Sequence, residues 1–248
     1  MKQKAIIILF GIFFFAISIY YYIRGAGKEP FDAAMLSFRF DDAYASQLDA
    51  TRILENNGMR ASIYCITGFV GTTGYMSWED IRTLADKGHE IGSHTVTHPA
   101  CGMLCPKKLI QELHDSKATL EKYNIPVTSF AWPYGFSPIC GDRIARKYYA
   151  NAVDYPWLRR LRLNGRTGDR YTLVTSAPKS SEECMAYLAV AARKKLWLIA
   201  CFHRIENSGN RFSLSIDEFE KIVQYASQMR QKGLVEVVTV SEGTKRLR

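Results

Sequence analysis

The sequence predicts an α/β fold, a parallel sheet covered by helices and either doubly wound or barrel-shaped. Three observations carry this prediction. Short apolar runs alternate with amphipathic stretches from residue 34 onward, no internal repeat interrupts them, and 248 residues suffice for one α/β domain with a sizeable core. In order, residues 35–40 read as a strand ending at Asp41 and Asp42, and 44–56 as a helix with Gly58 just beyond it. Residues 61–67 form the second strand, and Ser77 with Asp80 three residues on opens a helix running to Lys87. A strand over 90–95, a helix over 106–123, a strand over 128–132 and a helix near 142–149 follow. Beyond these lie Ala152-Val153, a short strand at 171–175, a helix over 181–194 and the wholly apolar strand 196–202. Ser215, with Glu218 three residues on, caps a helix ending at Gly233, and 234–240 is the last strand.

The formal charge is +9, but Lys and Arg are scattered in short groups such as Arg159-Arg160 and Lys194-Lys195. No nucleic-acid-binding module accompanies them, so a basic surface facing an anionic envelope or polymer is the better reading. No GxGxxG or Walker sequence follows a strand, which removes support for nucleotide binding. The six cysteines contain no CxxC pair, so a structural zinc site is not expected. Cys65 and Cys201 lie in apolar strands as buried thiols, and any disulfide would draw on two of Cys101, Cys105 and Cys140.

Residues 5–23 form one uncharged apolar run, preceded by Lys2 and Lys4 and closed by Tyr20, Tyr21 and Tyr22. As a helix this run would extend ~28 Å, close to a bilayer core. The expectation is a cytoplasmic tip at 1–4, a transmembrane signal anchor at 5–23, a linker at 24–33 and a catalytic domain at 34–248. That domain lies outside the cytoplasm, held by the membrane or secreted after signal-peptide cleavage.

In a parallel sheet, chemistry collects at the carboxyl ends of the strands, and four of those ends are polar. Asp41 and Asp42 close the first strand; two adjacent carboxylates either need a positive partner or serve as a helix cap. His94 and His98 follow the third strand, with Pro99 holding His98 extended, and are either metal ligands or structural imidazoles. The run Trp132-Pro133-Tyr134-Gly135 ends the fourth strand with flat rings that could stack on a sugar or plug a barrel mouth. His203 follows the last long apolar strand. Taken together, one carboxylate and two imidazoles make a common catalytic metal set. They leave the second carboxylate as general base and His203 as general acid.

The segments SFRFDDAY, SHTVTH, FAWPYG and LIACFHRI occur in that order, and in them the chain resembles the polysaccharide deacetylases over about residues 34 to 245. The resemblance implies a distorted (β/α) barrel of about seven strands. It also implies one divalent metal, zinc first with cobalt, nickel or manganese as alternatives, on Asp42, His94 and His98. Asp41 is then the base, His203 the acid and the Tyr134 backbone N–H the oxyanion donor. Trp132, Pro133, Tyr134 and Trp157 are expected to touch the substrate, an N-acetylated or O-acetylated polysaccharide, with the catalytic domain acting as a monomer.

Some positions depart from the family pattern. Ala43 stands where Gly is usual, and Ala131 where an Arg usually orients the base; the subgroup resembling poly-N-acetylglucosamine deacetylases also lacks that Arg. Arg39 lies in the first strand, but alternation is expected to aim it away from Asp41. Asp154 and Trp157 are a loose match to the fourth motif, and His89 is read as a surface residue. The competing functions are a catalytically weak or inactive glycan-binding relative and a barrel hydrolase of small cyclic amides.

Overall fold

The computed structural model describes residues 29–154 and 161–248. The expected signal anchor at 5–23 and Trp157 lie outside the described residues. Among those residues no helix is long and apolar enough to cross a membrane.

The chain begins with β1 (Ala34–Asp42), α1 (Gln47–Asn56), β2 (Ala61–Cys65), α2 (Trp78–Asp86) and β3 (Glu90–Ser93). Next come α3 (Pro106–Lys122), β4 (Ser129–Ala131), α4 (Gly141–Ala145), β5 (Asn151–Asp154) and β6 (Leu173–Val174). The remainder is α5 (Ser181–Lys194), β7 (Trp197–Phe202), β8 (Arg204–Ile205), β9 (Ser213–Leu214), α6 (Ile216–Gln231), β10 (Val235–Val237) and α7 (Val240–Thr244).

Strands β1 to β6 lie side by side in chain order, all parallel, and β7 returns to the free side of β1. Just past β6, Ser176 forms one parallel bridge to Ala200 of β7, so the sheet curls round on itself. The strand–helix alternation therefore yields the curled, barrel-like member of the two architectures that the pattern allows. β10 extends the sheet beside the first residues of β1, where β2 has not yet begun.

All nine residues of β1 are buried, because helices cover one face and the barrel interior the other. Leu36, Phe38 and Phe40 join the core under the helices, where Phe38 and Phe40 pack on Phe219 of α6. Met35 joins Tyr64, Ala131, Val153, Leu173, Trp197 and Ile199 inside the curl. Ser37, Arg39 and Asp41 share the side of Met35 by the two-residue period of a strand. Phe31 also belongs to this inner cluster at 5% exposure, so the end of the expected linker is packed core.

The helix starts follow their capping chemistry. Ser77 and Asp80 form a reciprocal capping box, and the Ser215 hydroxyl accepts from Glu218 N–H. The expected last strand stops at Val237, because Thr239 and Glu242 form a second capping box that turns the chain into α7. All six cysteines are free thiols, with Cys101 buried and Cys105 exposed, so no disulfide joins the 101–140 loops.

Candidate metal centre

At the end of β1 the backbone turns sharply, with Asp42 at φ 74° and Ala43 at φ 58°. Left-handed backbone costs a non-glycine residue roughly 1–2 kcal/mol, so the Ala43 that replaces the usual glycine is strained here. Thr95 (φ 69°), His98 (φ 55°) and Tyr134 (φ 56°) share this conformation. Among the described residues, five of the seven non-glycine residues with positive φ thus sit around one cluster. Strain of this kind persists only where the surroundings over-determine it, and it concentrates at functional sites.

Asp42, His94 and His98 offer ligand atoms that all lie within 4.8 Å of one another. The Asp42 Oδ1 atom is 3.6 Å from His94 Nε2 and 3.6 Å from His98 Nε2. It is buried and has no hydrogen-bond partner among the described residues. A buried carboxylate oxygen left unpaired is costly unless something positive satisfies it. Donors bound tetrahedrally to zinc stand about 3.4 Å apart, so the three residues present fit a divalent ion.

The imidazoles are prepared for that role. His94 Nδ1 lies 2.8 Å from the Ala131 carbonyl, to which it donates, leaving the Nε2 lone pair free. Burial, helped by the neighbouring His94, pushes the His98 pKa down to about 4, so its ring is neutral at ordinary pH. A depressed folded-state pKa means that the unfolded chain binds the extra proton first. Stability contributed by His98 is therefore expected to be intact above about pH 6.5 and to fall progressively as pH drops toward 4. Urea unfolding of the metal-free protein at pH 7, 5.5 and 4.5 tests this, and a flat profile in a protein whose His98→Gln variant behaves identically would refute it.

Asp41 reaches the same centre, with Oδ2 4.0 Å from His94 Nε2. The expectation that Arg39 points away from it is wrong. Arg39 Nε and Nη2 donate to Asp41 Oδ1 and Oδ2 at 2.7 and 2.7 Å, a two-point ion pair with Arg39 at 1% exposure. The reason is the strand period itself: residues two apart share a face, so 39 and 41 both enter the barrel. A third guanidinium nitrogen, Nη1, donates to Thr175 Oγ1 at 3.2 Å, and the group lies over the Tyr64 ring. Burial would raise the Asp41 pKa, but Arg39, with His94 and His203, outweighs it and holds the carboxyl down at about 2. Arg39 thus supplies the cation that Ala131 does not, from a different strand.

His203 lies half-buried beyond β7, its ring nitrogen grouped with Asp41 and the Cys201 thiol. Gln47, at the first position of α1, ties this edge together. Its side-chain amide donates to the Asp41 carbonyl at 2.6 Å and to the His203 carbonyl at 2.7 Å. Neither Gln47 nor Arg39 had been placed in the site from sequence. The signal for Arg39 was present, because a lone cation in a buried strand needs a carboxylate; Gln47 gave none.

The aromatic turn divides by exposure. Tyr134 is 59% exposed and its ring meets His98 edge-on at 4.6 Å, on the open side of the cluster. Trp132 is fully buried, edge-on to Phe130 at 4.7 Å, and Pro133 is buried with it. Both are therefore corrected from sugar-contact positions to core: Trp132, just past β4, packs in the core under the helices, and neither ring is open to a polymer. His89 is likewise no surface residue. Its Nδ1 accepts from Ala61 N–H at 3.1 Å, and Nε2 lies 3.3 Å from Glu55. Asp154 closes β5 as a buried residue.

Fold and site together define a parallel α/β protein with a carboxylate–imidazole constellation at the carboxyl ends of its strands. The chain belongs to the polysaccharide deacetylase family, whose sequence profile matches residues 28–152. Over 176 residues it is 31% identical to gellan lyase of a Bacillus species, covering 65% of this chain and 7% of that protein. It is 30% identical over 110 residues to YxkH of Bacillus subtilis, a protein of polysaccharide deacetylase type, covering 44% and 39% of the two. The chain thus spans well under half the length of these curated relatives. The fold is similar to that of a CE4 family pseudoenzyme from Bacillus anthracis, with a TM-score of 0.58 and 16% identity over 85% of this chain and 65% of that one.

Proposed function

We propose that the chain hydrolyses acetyl groups from an acetylated polysaccharide, N-acetyl groups foremost, with one divalent metal, zinc first, on Asp42, His94 and His98. The observation that carries this reading is the unpartnered, buried Asp42 Oδ1 facing two imidazole Nε2 atoms, one of them oriented through Ala131. A divalent ion in that position supplies Lewis acidity and lowers the pKa of water. Asp41, kept ionised and aimed by Arg39, accepts the proton of the attacking water. The Tyr134 backbone N–H donates to the acetyl oxygen as charge builds there. His203 passes a proton to the departing sugar nitrogen, giving acetate and a free amine. The exposed Tyr134 ring offers a face to the sugar, and Trp157 belongs to the same proposal as a sugar contact.

We place this activity outside the cytoplasm, with 5–23 as the anchor. The support is the uncharged apolar run itself and the +9 charge, which suits an anionic envelope. The test is metal content together with acetate release from N-acetylglucosamine oligomers. Protein that takes up no divalent ion would overturn the mechanism. Protein that takes up metal yet frees no acetate from any acetylated glycan would favour a glycan-binding, inactive relative, a reading supported by the pseudoenzyme of similar fold.

A further inference from the structure

We infer that Glu112, a residue of α3 outside every recognised motif, is the positioning residue that sets the turn carrying His94 and His98. This inference rests on those histidines being metal ligands. The turn between them consists of Thr95, Val96 and Thr97. It is an unfavourable conformation for the residues in it, because Thr95 at φ 69° is β-branched and His98 at φ 55° is bulky. Something must hold it, and the hydrogen bonds show what does.

Inside the turn, the Thr95 hydroxyl donates to the His94 carbonyl and accepts from His98 N–H at 3.0 Å, locking the two histidine backbones to each other. On one side, Thr67 N–H and Gly68 N–H donate to the Thr95 and Val96 carbonyls at 3.1 and 3.0 Å. On the other side stands Glu112. Its Oε2 accepts from Val96 N–H at 2.8 Å and from Thr97 N–H at 3.0 Å, and its Oε1 accepts from the Thr97 hydroxyl at 2.7 Å. One carboxylate therefore receives three hydrogen bonds from two of the three residues between the ligands. Bonds to a charged acceptor are roughly twice as strong as neutral ones. A helix on the outside of the sheet thus fixes the angle at which His98 approaches Asp42.

Outer groups that orient metal ligands typically account for 10–100-fold in metal affinity. The full chain loaded with cobalt(II), titrated against a chelator and followed by its visible absorption, tests the inference. Glu112→Ala is expected to weaken cobalt binding about 10–100-fold and to alter the absorption bands. Glu112→Gln keeps an acceptor for the two amides and is expected to restore affinity to within about threefold of wild type. Should Glu112→Ala fail to fold, Thr97→Val removes only the hydroxyl contact on an exposed residue and is expected to weaken binding about threefold. Wild-type affinity and spectrum in folded Glu112→Ala, or in Thr97→Val where that variant stands in, overturn the positioning role alone. A wild-type chain that binds no cobalt overturns the metal reading and this inference with it.

Discussion

Arg39→Met is expected to destabilise the protein by about 3–5 kcal/mol and to abolish most acetate release. The variant removes the guanidinium that grips both oxygens of Asp41 at 2.7 Å and leaves a carboxylate at 5% exposure without its ion-pair partner. Burial, now unopposed by Arg39, raises the Asp41 pKa, and the carboxyl loses the orientation that turns it toward the metal centre. Arg39→Lys keeps the charge but not the planar fork, so it should fall between the two. The measurements are urea unfolding and the pH dependence of acetate release. Stability within about 0.5 kcal/mol of wild type would show that the ion pair is not what holds this strand end. Restoring the family's usual arginine by Ala131→Arg is no remedy. Ala131 is fully buried inside the curl among Met35, Tyr64 and Val153, where a second guanidinium has no room.

The second large effect is expected from Asp41→Asn, at about 10²–10⁴-fold in acetate release. The amide keeps the size of the carboxylate but cannot accept a proton from water. Metal content should be unchanged, because the proposed ligands are Asp42, His94 and His98. This separation of activity from metal binding distinguishes a base from a ligand. Loss of the metal along with the activity would reassign Asp41 as a ligand, and full activity would remove it from the mechanism. Some loss of stability accompanies the change, since Arg39 is then buried with a neutral partner.

Local chemistry made much of this molecule legible beforehand. Ser77 with Asp80 and Ser215 with Glu218 announce helix starts because a side-chain oxygen three residues ahead of an N–H is a local device. The apolar strands are equally plain, and so are the polar residues at their ends. What escaped were features set by the third dimension. Helix α1 starts at Gln47, later than the 44–56 pattern suggests, because Asp42 and Ala43 occupy left-handed backbone. Trp132 reads as a sugar platform by composition, yet the strand turns it into the core. His89 follows a glycine and reads as exposed, yet it stands in for a backbone acceptor at the start of β2. Arg39 is different in kind: the two-residue strand period puts it on the same face as Asp41, so this partner is legible in the sequence.

The seam between β6 and β7 is closed by one parallel bridge, Ser176 to Ala200, and by Asn164, which hydrogen-bonds to Val174 and to Trp197. Only two backbone bonds flank the bridge, from Ser176 N–H to Ile199 and from Cys201 N–H to Ser176. β7 itself borders this seam, and the strands that carry the proposed catalytic and ligand groups run from it through β1, β2 and β3 to β4. Thermal breathing is therefore expected to open the seam between β6 and β7 before it parts β1 from β2 or β7, where five and six residue pairs hold the strands together. In amide hydrogen exchange, Ser176 and Cys201 should lose protection well before Phe40 or Ile63, so the wall can gape at one edge while β1 and β2 stay paired.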